Sequence, residues 1–178
     1  MESIREIYKI GHGPSSSHTM GPAKAAKRFL EISPEAAHYK VILYGSLAAT
    51  GKGHLTDIAI QQEFRNKQID VYWEPDIFLP KHPNALRFES YNKNGEILKS
   101  WTVYSIGGGA IIDDNSELET RNVYTLNELD EILVWCHEHG KQLWEFVEDH
   151  EGSRIWDYLA KVWQIMDEAI TRGMKREG

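Results

Sequence analysis

The chain has 178 residues, 41% of them hydrophobic and 26% charged, and carries a formal net charge of -7 at pH 7. That length supports one packed core, or one core with an appended helical piece. The acidic balance, with no run of Lys or Arg, argues against nucleic acid or an anionic membrane as the main partner, and no apolar stretch approaches the roughly 20 residues that a membrane span needs.

The first part of the chain alternates helix and strand patterns. Glycine and proline at residues 11–14 predict a turn, and a proline at the first helical position predicts a helix over residues 22–30. β-Branched and aromatic residues predict a strand at 39–47, and helical spacing predicts a second helix at 55–62. Further strands are predicted at residues 69–73, 85–92 and 96–106, the last two joined by a tight turn at 92–95.

The pattern becomes helical after about residue 122. Thr125 with Glu128 fits a capping box, the apolar positions of residues 126–136 form one helix face, and Gly140 ends that helix. A shorter helix is predicted at 142–149, and a last helix begins at about residue 153.

These patterns predict an α/β domain at residues 1–122 and a helical segment at 123–178. The last helix carries Trp156, Trp163 and Met166, more apolar surface than two short helices can cover. The chain also stops without a closing element. We therefore expect a fragment of a longer protein.

Residues 13–22, Gly-Pro-Ser-Ser-Ser-His-Thr-Met-Gly-Pro, form the first candidate site because four hydroxyls and an imidazole precede a predicted helix start. A helix start has unpaired amides and about half a positive charge, so it binds anions, and hydroxyls add neutral donors for a carboxylate or phosphate. His18 is a candidate acid or base. The candidate anion ligands are Ser15, Ser16, Ser17 and Thr19. The alternative is helix capping, which uses only one or two of these hydroxyls.

The second candidate site is the segment at residues 45–57, Gly-Ser-Leu-Ala-Ala-Thr-Gly-Lys-Gly-His-Leu-Thr-Asp. A phosphate-binding loop fails on count, because five residues rather than four separate the first glycine from the Gly-Lys pair, and Gly53 stands where a Ser or Thr would hold magnesium. What remains is a loop that carries His54 and Thr56 to a helix start. His54 is then either a catalytic group or a surface cap residue.

The third candidate is the segment Ser105-Ile106-Gly107-Gly108-Gly109. Three glycines let the backbone approach a ligand closely, but a strand end or bulge explains them equally well. No pair of His or Cys residues has metal-ligand spacing, so no metal site is predicted in this chain. The lone Cys136 can form neither an internal disulfide nor an iron–sulfur cluster by itself, and a reducing, cytoplasmic setting is expected.

Long stretches of the chain resemble one enzyme family. The segments are GPSSSHTMGPAKAA (residues 13–26), YGSLAATGKGHLTDIA (44–59) and YSIGGG (104–109), with a similar tail at 155–174. The first three closely resemble the N-terminal domain of bacterial iron–sulfur-dependent L-serine dehydratases, and the tail resembles the segment that opens their catalytic part. The resemblance covers almost the whole chain and implies that the family's cluster-bearing catalytic domain is missing here.

The resemblance implies a lyase of amino-acid catabolism and gluconeogenesis that converts L-serine to pyruvate and ammonia with a [4Fe-4S] cluster. It implies that His54 and His18 are catalytic. The implied substrate-binding residues are Ser15, Ser16, Ser17, Thr19 and Thr56. It also implies a cytoplasmic homo-oligomer, and an α/β fold that resembles the allosteric substrate-binding domain of phosphoglycerate dehydrogenases, followed by a short helical segment. This chain alone is expected to bind no cluster and to be inactive.

A second interpretation stays open. A non-catalytic regulatory domain that binds a small carboxylate or phosphate would use the same serine-rich segment. His54 discriminates between the two, because pure binding has no need of a base at that position.

Overall fold

The structure, a computed structural model, describes residues 1–65, 67–116 and 122–176. Two compact units are present: the α/β unit, residues 11–118, and the helical unit, residues 1–10 with 119–178. The sequence analysis places residues 1–10 with the α/β domain. In the structure they belong to the helical unit, where the Ser3 hydroxyl and the Ile4 amide donate to the Glu151 carboxylate at 2.7 and 2.8 Å.

The α/β unit has the mixed sheet-and-helix architecture that the sequence predicts. Its helices are α1 (Gly21–Ile32), α2 (Gly45–Thr50) and α3 (Thr56–Phe64). Its strands are β1 (His38–Tyr44), β2 (Ile69–Glu74), β3 (Asn84–Tyr91), β4 (Ile97–Gly107) and β5 (Ala110–Asp113). The sheet order is β2-β1-β3-β4-β5, in which β1 and β2 are parallel and the other neighbours are antiparallel.

One face of this sheet forms the core. Val41 and Leu43 of β1 are fully buried, while the residues between them are only half-buried, because successive strand side chains point to opposite faces. Val41 pairs with Phe88 of β3, and the Phe88 ring stacks against Phe29 of α1 and Phe64 of α3. Helices α1 and α3 therefore cover the same face.

Strand β1 is shorter than the sequence predicts. It ends at Tyr44, and the predicted strand residues 45–47 belong to α2. Gly45 has φ +50°, a backbone conformation that glycine adopts at little cost, so the chain turns there into a helix. Leu47 is fully buried as a helix residue, which explains why it looked like part of an apolar strand.

The glycine run at 107–109 also differs from a simple strand end. All three glycines have positive φ and turn the chain from β4 into β5, a short strand that the sequence analysis does not predict. Strand β5 has only four residues, Ala110–Asp113, which leaves too short a pattern for period-two alternation to be recognised.

The helical unit contains α4 (Leu129–His139), α5 (Leu143–Glu151) and α6 (Arg154–Met174). The predicted capping box at Thr125 and Glu128 is wrong, because α4 begins at Leu129 without a side-chain cap. A capping box is formed instead by Gln142 and Glu145 at the start of α5. Across the described ranges, no helix combines the length and the hydropathy needed to cross a membrane.

Candidate functional site

The serine-rich turn, defined here as Ser16–Met20, is a wide helical turn that leads directly into α1. The Met20 amide donates to the Ser15 carbonyl five residues back, at 3.0 Å. Such i→i+5 turns are rare and are frequently found at functional sites. The sequence predicts a loop before a helix here. In the structure these residues already form a helical turn that is continuous with α1.

The histidine loop, defined here as residues 51–56, joins α2 to α3. Its backbone is held by hydrogen bonds to the Gly51 carbonyl, from the His54 amide at 3.1 Å and the Thr56 amide at 2.9 Å. Leu55 has φ +57° and ψ +35°, the left-handed region that leucine rarely adopts. Residues held in such conformations cost free energy and cluster at functional sites.

Two threonines connect these segments reciprocally. The Thr19 hydroxyl donates to the His54 carbonyl at 2.9 Å, and the Thr56 hydroxyl donates to the His18 carbonyl at 2.6 Å. Thr19 is 2% exposed and Thr56 is fully buried. Each threonine therefore fixes the backbone of the opposite segment at the residue that carries its imidazole.

The result is a pair of adjacent imidazoles. The ring centroids of His18 and His54 are 4.8 Å apart, with an angle of 34° between the ring planes. The sequence predicts both histidines as functional residues from separate motifs, 36 positions apart in the sequence. The structure brings them together.

The protonation of His54 follows from its contact with the backbone. Its Nδ1 lies 3.0 Å from the Thr50 carbonyl oxygen. A carbonyl oxygen only accepts hydrogen bonds, so Nδ1 must carry the proton. In the neutral ring, Nε2 is then the unprotonated atom, with a lone pair available to take up a proton.

His18 has a different environment. Its Nδ1 lies 3.0 Å from the Ser17 hydroxyl, and its Nε2 lies 3.4 Å from the Ser46 hydroxyl. Burial, and next the neighbouring His54, lower the pKa of His18 below its ordinary value of 6.5, against an opposing effect of Ser46. His18 is therefore a neutral ring at pH 7.

The serines divide between capping and free hydroxyls. The Ser15 hydroxyl accepts from the His18 amide at 3.1 Å, which is the helix-cap alternative raised by the sequence. The Ser17 hydroxyl is paired with the His18 ring. Within the described part of the chain, the Ser16 hydroxyl makes no hydrogen bond, so it remains available for a ligand.

The third sequence motif lies beside the serine-rich turn. A Cβ added to Gly109 would stand 3.4 Å from Met20 Cε, and one added to Gly21 would overlap the Ser105 hydroxyl. The overlap with Ser105 explains glycine at position 21. At position 109 the contact is ordinary, and the positive φ of +71° favours glycine instead.

The sequence analysis gives no individual role to three polar residues at this end of the sheet: Ser46, Asn84 and Ser105. Ser46 is inside the second motif, but the sequence predicts a strand there, and only the structure shows that it lies at the start of α2. Ser105 precedes the glycine run. Asn84 has no motif of its own, and only the strand pairing places it here.

The described residues offer no grouped donor set for a metal centre. Over residues 1–65, 67–116 and 122–176, no three or more His, Cys, Asp or Glu side chains are grouped to hold a metal ion. Iron–sulfur clusters are bound by several cysteine thiolates. The sole cysteine, Cys136, is buried in the helical unit among Tyr124, Ile132 and Phe146.

Comparison with known proteins identifies a matching family model and related enzymes. The family model described as serine dehydratase beta chain matches residues 3–68 and 61–116. The chain is 32% identical to L-serine dehydratase 1 of Escherichia coli (strain K12), over 100% of this chain and 50% of the relative. It is 34% identical to an L-serine dehydratase of Helicobacter pylori (strain ATCC 700392 / 26695), over 85% of this chain and 43% of the relative. The chain spans about half the length of the curated relatives it matches.

Proposed function

Because the chain belongs to the serine dehydratase beta chain family, we propose that it forms one part of an enzyme that converts L-serine to pyruvate and ammonia. The observation that carries the proposal is the pair of imidazoles at 4.8 Å, in which the bond from His54 Nδ1 to the Thr50 carbonyl leaves the lone pair of the neutral ring on Nε2. A domain that only binds an anion has no need of such a base. The geometry therefore favours the enzyme over the regulatory interpretation.

The reaction begins with the loss of the substrate's α-proton. The Cα–H bond breaks and the proton passes to His54 Nε2, while the Cβ–O bond breaks and the hydroxyl leaves with its electron pair as hydroxide. A Lewis acid in the other half of the enzyme would stabilise this hydroxide, and protonation would convert it to water. The product is 2-aminoacrylate, which rearranges to an imine. Water adds to the imine carbon, ammonia leaves, and pyruvate remains. A general base positioned in this way contributes about 100- to 10,000-fold to the rate.

The serine-rich turn supplies the carboxylate site. The Ser16 and Ser17 hydroxyls precede the start of α1, whose first amides and dipole favour an anion. His18 is neutral, so it contributes a hydrogen bond without a charge. Fixing the carboxylate here sets the orientation of the α-carbon relative to the base.

For Thr19, Thr56 and Ser15 we propose a different role from the one that the resemblance implies. Their hydroxyls are committed to backbone groups of the two segments, and both threonines are buried. We propose that they position the histidines instead of contacting the substrate. His18 and His54 remain the proposed catalytic residues.

The [4Fe-4S] cluster is the part of the proposal that this chain cannot carry. We propose that a polypeptide equivalent to the rest of the relatives' length binds it, as the cluster-bearing catalytic domain. The homo-oligomer, the cytoplasmic location and a fold shared with the allosteric substrate-binding domain of phosphoglycerate dehydrogenases are further proposals. They rest on the resemblance of the motifs at residues 13–26 and 44–59.

The test is to assemble the chain, under anaerobic conditions with iron and sulfide, with a polypeptide that supplies the remaining half of a relative. Pyruvate release from L-serine is expected from the assembly and not from the chain alone. The other half alone is the matched control. An assembly that contains the cluster and binds L-serine but releases no pyruvate would establish the regulatory interpretation instead.

A further inference from the structure

Two polar side chains stand side by side where the sheet meets the candidate site. The register that pairs Ala85 with Tyr104 places Asn84 of β3 opposite Ser105 of β4. Both alternate onto the face of Leu86, which is the core face covered by helices. At this end of the sheet, the core face therefore carries a polar pair, Asn84 and Ser105, next to its apolar residues.

The pair is buried with unused hydrogen-bonding capacity. Asn84 is 8% exposed and Ser105 is fully buried. The Asn84 side-chain amide nitrogen donates to the Ser105 carbonyl at 3.4 Å, but within the described residues Asn84 Oδ1 and Ser105 Oγ have no partner. Buried polar groups are nearly always paired, so these two atoms indicate a group that the protein alone does not supply.

Both side chains lie at the starts of the elements that carry the site. The first residue of α1, Gly21, packs directly on the Ser105 hydroxyl. Gly45, the first residue of α2, forms a β-bridge with Asn84, and the Ser46 amide donates to the Pro83 carbonyl at 3.1 Å. The unpaired atoms are thus adjacent to the starts of both helices.

The chemistry of the site suggests what they bind. Residues 13–22 contain no Asp or Glu, and residues 45–57 contain a single carboxylate, Asp57 in the first turn of α3, so the two motifs offer mainly hydroxyls, amides and imidazoles. An α-amino acid carries an ammonium group, which only donates hydrogen bonds and needs acceptors. The neutral amide oxygen of Asn84 is such an acceptor, and the neutral His18 adds no repulsive charge.

We propose that Asn84 Oδ1 accepts a hydrogen bond from the α-ammonium group of the substrate and that Ser105 Oγ makes a second hydrogen bond to the same group. The pair thereby selects α-amino acids over α-hydroxy acids. This inference rests on the proposed function and adds a specificity-determining subsite to it. Gly21, the first residue of α1, packs against the Ser105 hydroxyl in this structure, so the head group reaches the pair only if the start of α1 moves away from β4.

The experiment is an NMR titration of the ¹⁵N-labelled 178-residue chain with L-serine and, separately, with L-glycerate, in which a hydroxyl replaces the ammonium group. L-Serine should shift the side-chain amide signals of Asn84 and the backbone amides of Ser16 and His18, and L-glycerate should shift only the backbone signals. Asn84→Leu should weaken L-serine binding about tenfold or more, the loss of a hydrogen bond to a charged group, and leave L-glycerate binding unchanged. Asn115→Leu, at an exposed asparagine, is the matched control.

The outcomes separate this inference from the proposed function. If L-serine shifts Ser16 and His18 but not the Asn84 amide, or if Asn84→Leu weakens both probes equally, the subsite is wrong and the carboxylate site stands. If L-serine shifts none of these signals, both the Asn84 subsite and the proposed carboxylate site are wrong. Should Asn84→Leu fail to fold, Ser105→Ala replaces it, and an unchanged preference for L-serine over L-glycerate in that variant overturns the inference.

Discussion

The serine-rich turn and the histidine loop are held in the same way but are chemically different. Each contributes one histidine and one buried threonine, and each threonine donates to the backbone carbonyl of the opposite histidine. The imidazoles differ. His54 donates from Nδ1 to the Thr50 carbonyl, which leaves the lone pair on Nε2, whereas His18 lies between two hydroxyls and has a lowered pKa. Shared support with different hydrogen-bond partners fits the proposed division of labour, with His54 as base and His18 as a binding group.

The largest expected effect separates the two histidines. In the assembled enzyme, His54→Ala should lower turnover about 100- to 10,000-fold, because a general base is lost, while His18→Ala should act mainly on the Michaelis constant. Steady-state pyruvate release measures both. His137→Ala, in the helical unit, is the control for removing an imidazole. Equal losses of turnover from His18→Ala and His54→Ala would remove the proposed division of labour.

The next effect separates the serines of the first segment. Ser16→Ala with Ser17→Ala should raise the Michaelis constant for L-serine strongly, since hydrogen bonds to a charged group are each worth about 1.5–3 kcal/mol. Ser15→Ala should instead lower the free energy of unfolding by about 1 kcal/mol, because its hydroxyl caps the turn. Kinetics and denaturant melts measure the two effects. A stable Ser15→Ala variant with impaired substrate binding would reverse the assignment.

A stability measurement then tests the shared support. Thr19→Val and Thr56→Val each remove a buried donor and leave a carbonyl without its partner, which should cost about 1–3 kcal/mol of unfolding free energy. The double variant should deviate from additivity by about 0.5–3 kcal/mol, because both bonds join the same two segments. Thr50→Val, whose hydroxyl bonds within α2, is the matched control. Strict additivity would show that the two bonds act independently.

The smallest effect is a pH dependence. The folded-state pKa of His18 is lowered, so below about pH 6.5 the unfolded chain binds a proton that folded His18 resists. The free energy of unfolding should therefore fall as the pH drops below 6.5, and level off once folded His18 is itself protonated. In urea melts across this range, His18→Gln should remove this component and His12→Gln should not. If His18 instead raised the free energy of unfolding at low pH, its folded-state pKa would be raised and not lowered, which would contradict this prediction.

Much of the α/β unit could be predicted from sequence because its signals are local. Alternating strands, a proline at a helix start and an Asn-Gly turn each depend on a few neighbouring residues, and all were recognised. The turn at Gly45 was missed, because an apolar run of strand-like residues continues through it into α2. Strand β5 was missed because four residues carry too little pattern.

The candidate site was only partly predictable, for a different reason. The motifs identify His18 and His54, but their proximity depends on long-range bonds between residues 19 and 54 and between residues 56 and 18. The same bonds change the proposed role of Thr19 and Thr56 from ligands to supports. Asn84 joins the site only through strand pairing, which no local pattern specifies.

The central claim is that one amino-acid substrate binds between the serine-rich turn and the histidine loop. The most direct measurement is a crystal structure of the chain with bound L-serine. The account predicts its carboxylate at the Ser16 and Ser17 hydroxyls before α1, with the α-carbon about 3–3.5 Å from His54 Nε2, a distance suited to proton transfer. L-Serine bound with its carboxylate elsewhere, or with its α-carbon turned away from His54, would contradict the account.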